Sequence, residues 1–193
     1  MSIAYIGIGS NLGDRQKNIE TALEKLKSRK GIELKGTSSL IETDPVGDEG
    51  APKFLNACCM INTTLYPDEL LGALKSIERE LGRDRDCAKS RLSPEEQLRM
   101  LKEGRIDLSS VNERQRQEEA PKRWGPRAID LDILFYDDVI VKGANLVIPH
   151  PLLHKRMFVL RPLTEIAADF IHPVFKKSIN ELLFEYRVEY ESS

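Results

Sequence analysis

The order in which the hydrophobic period changes along this chain limits its fold more than any single residue does. Ile3-Ala4-Tyr5-Ile6-Gly7-Ile8-Gly9 reads as a short, largely buried strand. The turn Ser10-Asn11-Leu12-Gly13-Asp14 follows, and then Ile19, Leu23 and Leu26 recur at helical spacing. A second strand is expected over Ile32 to Glu42, halted by the Pro- and Gly-bearing loop from Thr43 to Gly50. A third runs from about Phe54 to Leu65. Pro67 opens a second helix whose apolar stripe is Leu70, Leu71, Leu74, Ile77 and Leu81, with Gly82 as its stop. After a long polar stretch, a clear strand covers Ala128 to Tyr136.

That order, βαββαβ, predicts an α+β ferredoxin-like sandwich, an antiparallel sheet with two helices on one face. A β-ribbon-like segment from Asp138 to Ile148 then leads to Pro149-His150-Pro151. Short helical pieces are expected around His154 to Ala168 and Ser178 to Tyr186. One domain over residues 1–193 accommodates all of this.

Composition removes several classes of function. Lys and Arg number 29 against 31 Asp and Glu, a net charge of −2, which is unlike the basic excess of a nucleic-acid binder. No apolar run approaches the roughly 18 residues of a membrane helix, and the N-terminus lacks the pattern of a signal peptide. A soluble cytoplasmic protein is expected. Its three cysteines, Cys58, Cys59 and Cys87, have neither disulfide nor zinc spacing. Cys58 and Cys59 read as buried, inert thiols, and Cys87 is given no role.

Residues 86–122 form an insertion of mixed charge, without aromatics and with few large apolar side chains. Within it Ser93-Pro94-Glu95-Glu96 opens a capped helix that Gly104 ends. On composition alone it reads as a solvated, tolerated insertion; a loop of this length is otherwise functional.

Asp130-Leu131-Asp132 is the sharpest chemical signal. On a strand both carboxylates project from one face, where like charges repel unless a cation or arginines compensate. Oxygen donors without His or Cys beside them suit Mg²⁺ and substrate phosphates. A bare pair of this kind more often marks an exposed acidic face. Here Arg83 and Arg85 follow the second helix, and Arg123-Trp124-Gly125-Pro126-Arg127 precedes the strand, and guanidinium forks suit phosphoryl oxygens. The opening glycines fit neither a Rossmann nor a P-loop pattern; Gly9 reads as room for a flat ligand. His150, between two prolines, is equally a structural residue and a phosphate donor. Phe54 and Phe158 are core aromatics by default, and Asn56, on the face of Phe54, is placed to read a heterocycle. Another Mg²⁺-dependent phosphoryl-transfer enzyme and a non-catalytic binding module both remain open on these residues alone.

Taken together, the segments closely resemble the 6-hydroxymethyl-7,8-dihydropterin pyrophosphokinases of folate biosynthesis. The matching pieces are Tyr5 to Gly13, Phe54-Leu55-Asn56-Ala57, Glu78 through Arg85, Arg123 through Leu134, Pro149-His150-Pro151 and Arg156-Met157-Phe158. The run RWGPRxxDLDIL is the most specific of them. The resemblance implies transfer of pyrophosphate from Mg·ATP to the pterin hydroxymethyl oxygen, releasing AMP. It implies that Asp130 and Asp132 hold two Mg²⁺ ions and that Arg83 and Arg127 stabilise charge on the transferred group. Arg85, Arg123, His150 and Arg156 would hold ATP phosphates, with Glu78, Ile133 and Leu146 lining the nucleotide pocket. The pterin would lie between Phe54 and Phe158, read by Asn56 and by the backbone of Thr43, Asp44 and Val46, with Gly9 beneath and Trp124 closing over it.

Departures from the family pattern are also expected to matter. The insertion lies between Arg85 and Arg123, where the family has a short spacer, and it offers a place for a lid or a dimer contact in what is otherwise expected to be a monomer. Asn145 and Pro151 stand where other members carry nucleotide contacts. The partners implied are ATP and the pterin, with no nucleic acid or membrane, in a monofunctional enzyme.

Overall fold

The computed structural model describes residues 1–44, 52–83 and 128–190; the side chains of Arg83 and Tyr190 are not among those described. The elements in order are β1 (Ser2–Ser10), α1 (Arg15–Ser28), β2 (Ile32–Thr37), β3 (Ile41–Thr43), β4 (Phe54–Thr63) and α2 (Pro67–Glu78). A single wide helical turn, Arg79–Arg83, extends α2. Then come β5 (Asp130–Tyr136), the short hairpin strands β6 (Val141–Lys142) and β7 (Val147–Ile148), a 3₁₀ turn (Leu153–Lys155), α3 (Met157–Ala167) and α4 (Ile179–Tyr190).

Helix starts follow local chemistry. Asp14 caps α1 by accepting the Lys17 amide at 3.1 Å. At α2, Pro67 occupies the first turn, and the Glu69 carboxylate accepts the Tyr66 amide at 2.8 Å. The extended α2 ends at Gly82, whose φ of 127° is open to glycine alone at little cost.

The main sheet is antiparallel, in the order β2-β4-β1-β5, with β3 added beside β4. Strand alternation sorts its side chains into two cores. On one face Ala4, Ile6, Ile8, Ala57, Cys59, Ile61, Leu131 and Ile133 pack against Ile19, Ala22 and Leu26 of α1 and Leu70, Leu74 and Ile77 of α2. On the other, Tyr5, Cys58, Leu134 and Phe135 pack against Val159, Leu160 and Leu163 of α3 and Leu182 and Leu183 of α4. Helices therefore cover both faces, where the periodicities had assigned only α1 and α2 to a face. No described helix is long and apolar enough to cross a membrane.

The expected second strand, Ile32 to Glu42, is divided in two. Between the halves, Ser38 bonds Cys58 twice: its amide donates to the Cys58 carbonyl, and its hydroxyl accepts the Cys58 amide, each at 2.9 Å. Because Ser38 satisfies the β4 backbone through its side chain, the chain turns there and resumes as β3. Two other boundaries move by two residues, β5 beginning at Asp130 and β4 ending at Thr63. Cys58 and Cys59 are buried as expected, and burial pushes the Cys59 thiol up to about 12. The insertion at 86–122, its capped helix and Cys87 lie outside the described residues.

Candidate active site

A cleft of about 410 Å³ opens on the α3 side of the sheet, at the end where β1 finishes and β5 begins. Two cross-strand rows form its floor. Asn56, Gly9 and Asp130 sit side by side on β4, β1 and β5; Cys58, Gly7 and Asp132 form the next row. Gly7 and Gly9 occupy the middle of each row, so in the Asn56–Gly9–Asp130 row no side chain rises from the central strand between the Asn56 amide and the Asp130 carboxylate. A Cβ on Gly7 would stand 3.2 Å from Leu134 Cδ2, so leucine already fills that place, whereas Gly9 faces only Asn56 Oδ1, at 3.4 Å. The opening is of the size of a small-molecule site.

β5 is an edge strand, and three contacts set its position. Ser10 Oγ donates to the Ala128 carbonyl at 2.5 Å, just before the strand begins. On the outer edge, the amide of Leu131, between the two aspartates, donates to the buried Glu78 carboxylate at 2.8 Å. Further along, the register slips opposite Tyr5 and Ile6, and the resulting bulge puts Leu134 and Phe135 on the same face. The bulged Leu134 carbonyl accepts the His150 amide at 3.0 Å, which seats the Pro149-His150-Pro151 segment beside the carboxylates. The Ile148–Pro149 peptide is cis.

Arg156 supplies the cation of the cleft, and His150 a neutral donor beside it. Burial, reinforced by the Arg156 charge, pushes the His150 imidazole down to about 4, so the ring is neutral at pH 7. Its Nδ1 accepts the Leu152 amide at 3.3 Å, which leaves the proton on Nε2 as a donor. Burial also lowers Arg156, while the charges of Asp132 and Asp130 raise it; it remains a cation. Its guanidinium lies 5.6 Å from the centre of the Phe158 ring.

The opposite wall joins two aromatic rings to one buried amide. Phe54 and Phe158 both line the cleft. Asn56, buried at 5% exposure, donates from Nδ2 to Thr43 Oγ1 at 2.8 Å across the β3–β4 pair. That bond fixes the amide with Oδ1 toward Gly9. Asp44 lines the same end and pairs with Lys53 at 3.2 Å.

The structure thus gathers Gly9, Thr43, Asp44, Phe54, Asn56, Asp130, Asp132, His150, Arg156 and Phe158 into one cleft, with Pro151 at its rim. Three residues expected to line the nucleotide pocket are not among those lining this cleft. Ile133 alternates with Asp132 and therefore faces the α1–α2 core; Leu146 packs into that same core from the β6–β7 hairpin; Glu78 is held at the back of β5. Asn145 is exposed at that hairpin, away from the cleft. Val46, Arg85, Arg123, Trp124 and Arg127 lie outside the described residues, as does the side chain of Arg83. Sequence reasoning missed Gly7 and Leu152, both of which line the cleft. The alternation Gly7-Ile8-Gly9 was the available signal for the first; nothing local marked the second.

The donors offered to a metal are carboxylate oxygens, two residues apart on one strand face, with the Arg156 guanidinium and His150 nearby. That set suits a hard cation sharing its coordination with a substrate. Among the described residues no group of three or more potential ligands occurs.

The profile of the 7,8-dihydro-6-hydroxymethylpterin-pyrophosphokinase family matches residues 5–94 and 87–168. The chain belongs to this family. It is 35% identical over 181 residues to the 2-amino-4-hydroxy-6-hydroxymethyldihydropteridine pyrophosphokinase of Aquifex aeolicus, covering 94% of this chain and 90% of that one. Against the Bacillus subtilis protein of the same name, identity is 36% over 86% of this chain and 78% of the relative. The folic acid synthesis protein fol1 of Pneumocystis carinii is 39% identical over 91% of this chain, but this chain spans only 19% of its length. A crystal structure of HPPK-DHPS in complex with substrates superposes with a TM-score of 0.65 at 14% identity, covering 100% of this chain and 44% of that one.

Proposed function

We propose that this chain transfers the β,γ-pyrophosphoryl group of ATP to the hydroxymethyl oxygen of 6-hydroxymethyl-7,8-dihydropterin. The hydroxyl oxygen attacks the β-phosphorus, the bond from that phosphorus to the bridging oxygen breaks, and AMP leaves with the bond's electrons while the hydroxyl proton is lost. The observation that carries the reading is the glycine floor: it keeps Asp130 and Asp132 and the Phe54–Asn56 wall on one surface, with no side chain of β1 between them.

The pterin lies between Phe54 and Phe158, with its amide edge toward Asn56 Oδ1 and the backbone of Thr43, Asp44 and Val46. Gly9 allows the ring to approach the sheet, and Trp124 closes over it. Asp130 and Asp132 would hold two Mg²⁺ ions with the triphosphate. Such ions supply charge neutralisation and orientation of the phosphoryl oxygens. His150 donates from Nε2 to a phosphate oxygen, and Arg156 binds the phosphates while its stem and charge steady Phe158. Arg85 and Arg123 bind further phosphate oxygens, and Arg83 and Arg127 take up charge developing on the transferred group. Glu78, Ile133 and Leu146 would line the nucleotide pocket, as the resemblance implies, with the Glu78 carboxylate also accepting the Leu131 amide. No dedicated base is required, since positioning and electrostatics carry most of a phosphoryl transfer.

The same reading takes the strand order β2-β4-β1-β5, with α1 and α2 on one face, as a ferredoxin-like sandwich within a single domain, interrupted at 86–122. The protein acts on small molecules as a monomer.

The test is AMP formation from Mg·ATP and the pterin, run beside an Asp132→Ala variant and a reaction without Mg²⁺. Pterin-dependent AMP that disappears in both controls supports the reading. AMP formed equally without pterin would overturn it.

A further inference from the structure

The ladder that reads the pterin is weak where it matters. β3 is an edge strand of three residues, Ile41–Thr43, separated from β2 by the break at Ser38 to Leu40. Three pairs tie it to β4: Ile41 with Asn56, Glu42 with Leu55 and Thr43 with Phe54. So short a strand is marginal by itself. Yet Thr43 must hold the Asn56 amide, and Phe54 and Asp44 stand at its end. Something other than the ladder has to keep β3 in register.

Two side-chain clamps do so, one at each end. At the start of β3, Glu165 of α3 accepts the Ser39 amide at 2.6 Å and the Ser39 hydroxyl at 2.5 Å. At the far end the clamp is Arg15, the first residue of α1. Its Nη1 donates to the Lys53 carbonyl at 2.8 Å, and its Nη2 pairs with the Glu42 carboxylate at 2.8 Å. Lys53 directly precedes β4 and Glu42 lies on β3, so one guanidinium grips both chains. It does so from the back: Glu42 and its partner Leu55 face the α1 side, while Thr43, Phe54 and Asn56 face the cleft. The planar fork of arginine suits this double grip; a lysine would reach only one partner at a time.

We infer that Arg15 is a positioning residue for pterin recognition, acting through the Glu42 carboxylate and the Lys53 backbone carbonyl on the Thr43–Asn56–Phe54 wall. The inference rests on the pterin reading above. Arg15 is a third exposed, and such pairs contribute little to global stability, so its loss should leave the fold intact. What should change is the fit of the pterin, because a shift of an ångström in a positioning group costs heavily in binding and rate.

The experiment measures pterin affinity by ligand fluorescence, together with KM for the pterin and for ATP, in the full chain and in Arg15→Ala, Arg15→Lys and Glu42→Gln. The expected result for Arg15→Ala is pterin binding weakened about 5- to 10-fold with a matching rise in pterin KM. KM for ATP should stay within about twofold and the melting temperature within a few degrees. Arg15→Lys should recover only part of the loss, and Glu42→Gln should weaken pterin binding less than Arg15→Ala, since the Lys53 contact survives. Wild-type affinity in Arg15→Ala, or equal losses for pterin and ATP, would overturn the inference. Failure of the unmodified chain to bind pterin would instead overturn the functional reading on which it rests.

Discussion

The two faces of the sheet come from the same strands and are opposite in character. Toward α1 and α2 the strands present Ala4, Ile6, Ile8, Ala57, Cys59, Ile61, Leu131 and Ile133, an apolar layer with the charge of Glu42 only at its β3 edge. Toward α3 the same strands present, at their cleft end, Gly7, Gly9, Asn56, Asp130 and Asp132. One face is packed along its length; the other is packed against α3 and α4 but, at its cleft end, is emptied by two glycines and loaded with two like charges. The difference shows that alternation, the simplest property of a strand, lets one sheet be a core and a site at once. It also shows why the site end needs help from outside the ladder, from Ser10, Glu78, Arg15 and the Leu134 bulge.

If that division is real, substitutions on the two faces should separate activity from stability. The largest effect is expected for Asp132→Ala. Pterin-dependent AMP formation should fall about 10³-fold, the scale of losing a key electrostatic contact. Because Asp132 is exposed and relieves a like charge when removed, the melting temperature should not drop. On the opposite face, Ile61→Ala removes a fully buried side chain and should cost about 3 kcal/mol by urea unfolding. The activity of the folded fraction should be unchanged. A large catalytic loss in Ile61→Ala, with stability intact, would break the comparison.

Gly9→Ala is a finer probe. Its methyl has room in the apo cleft, so the fold should tolerate it, but it would occupy pterin space; binding should weaken about tenfold, on the scale of a modest steric clash. The smallest effect concerns pH. All three histidines, His150, His154 and His172, lie in the segment that follows β5 and packs on the cleft side. Burial pushes His150 and His172 down to about 4 and lowers His154. The unfolded chain binds these protons near pH 6.5, before the folded chain does, so stability present above that value is lost as pH falls toward 4. Urea midpoints should therefore be lower at pH 5 than at pH 7. His172→Gln should flatten part of that slope, whereas a midpoint unchanged between the two pH values would contradict the assignment.

Much of this was readable beforehand, and the reasons are specific. β1, α1, β4, α2 and β5 follow periods of 2 or 3.6, and their boundaries move by a few residues at most. The split of β2 from β3 was not readable, because it depends on Ser38 meeting Cys58 twenty positions away. Nor was the face chosen by α3 and α4, since apolar spacing shows that a helix is buried and not against which side. Within the site, the carboxylate pair and the aromatics were visible as residue types on a strand or near a turn. Glu78 was not legible as a backbone acceptor, because a buried carboxylate looks in sequence like any charged helix residue. Arg15 was passed over for the same reason: its partners, Glu42 and Lys53, are distant in the chain.

The most direct measurement follows backbone amide shifts in the full chain while the pterin and a non-hydrolysable ATP analogue with Mg²⁺ are added. The account predicts changes concentrated at Gly7, Gly9, Thr43, Asn56, Asp130 to Asp132, His150 and Phe158, with Ile19, Leu26, Leu70 and Leu74 nearly still. Changes centred instead on α1 and α2, with the glycine floor unaffected, would contradict it.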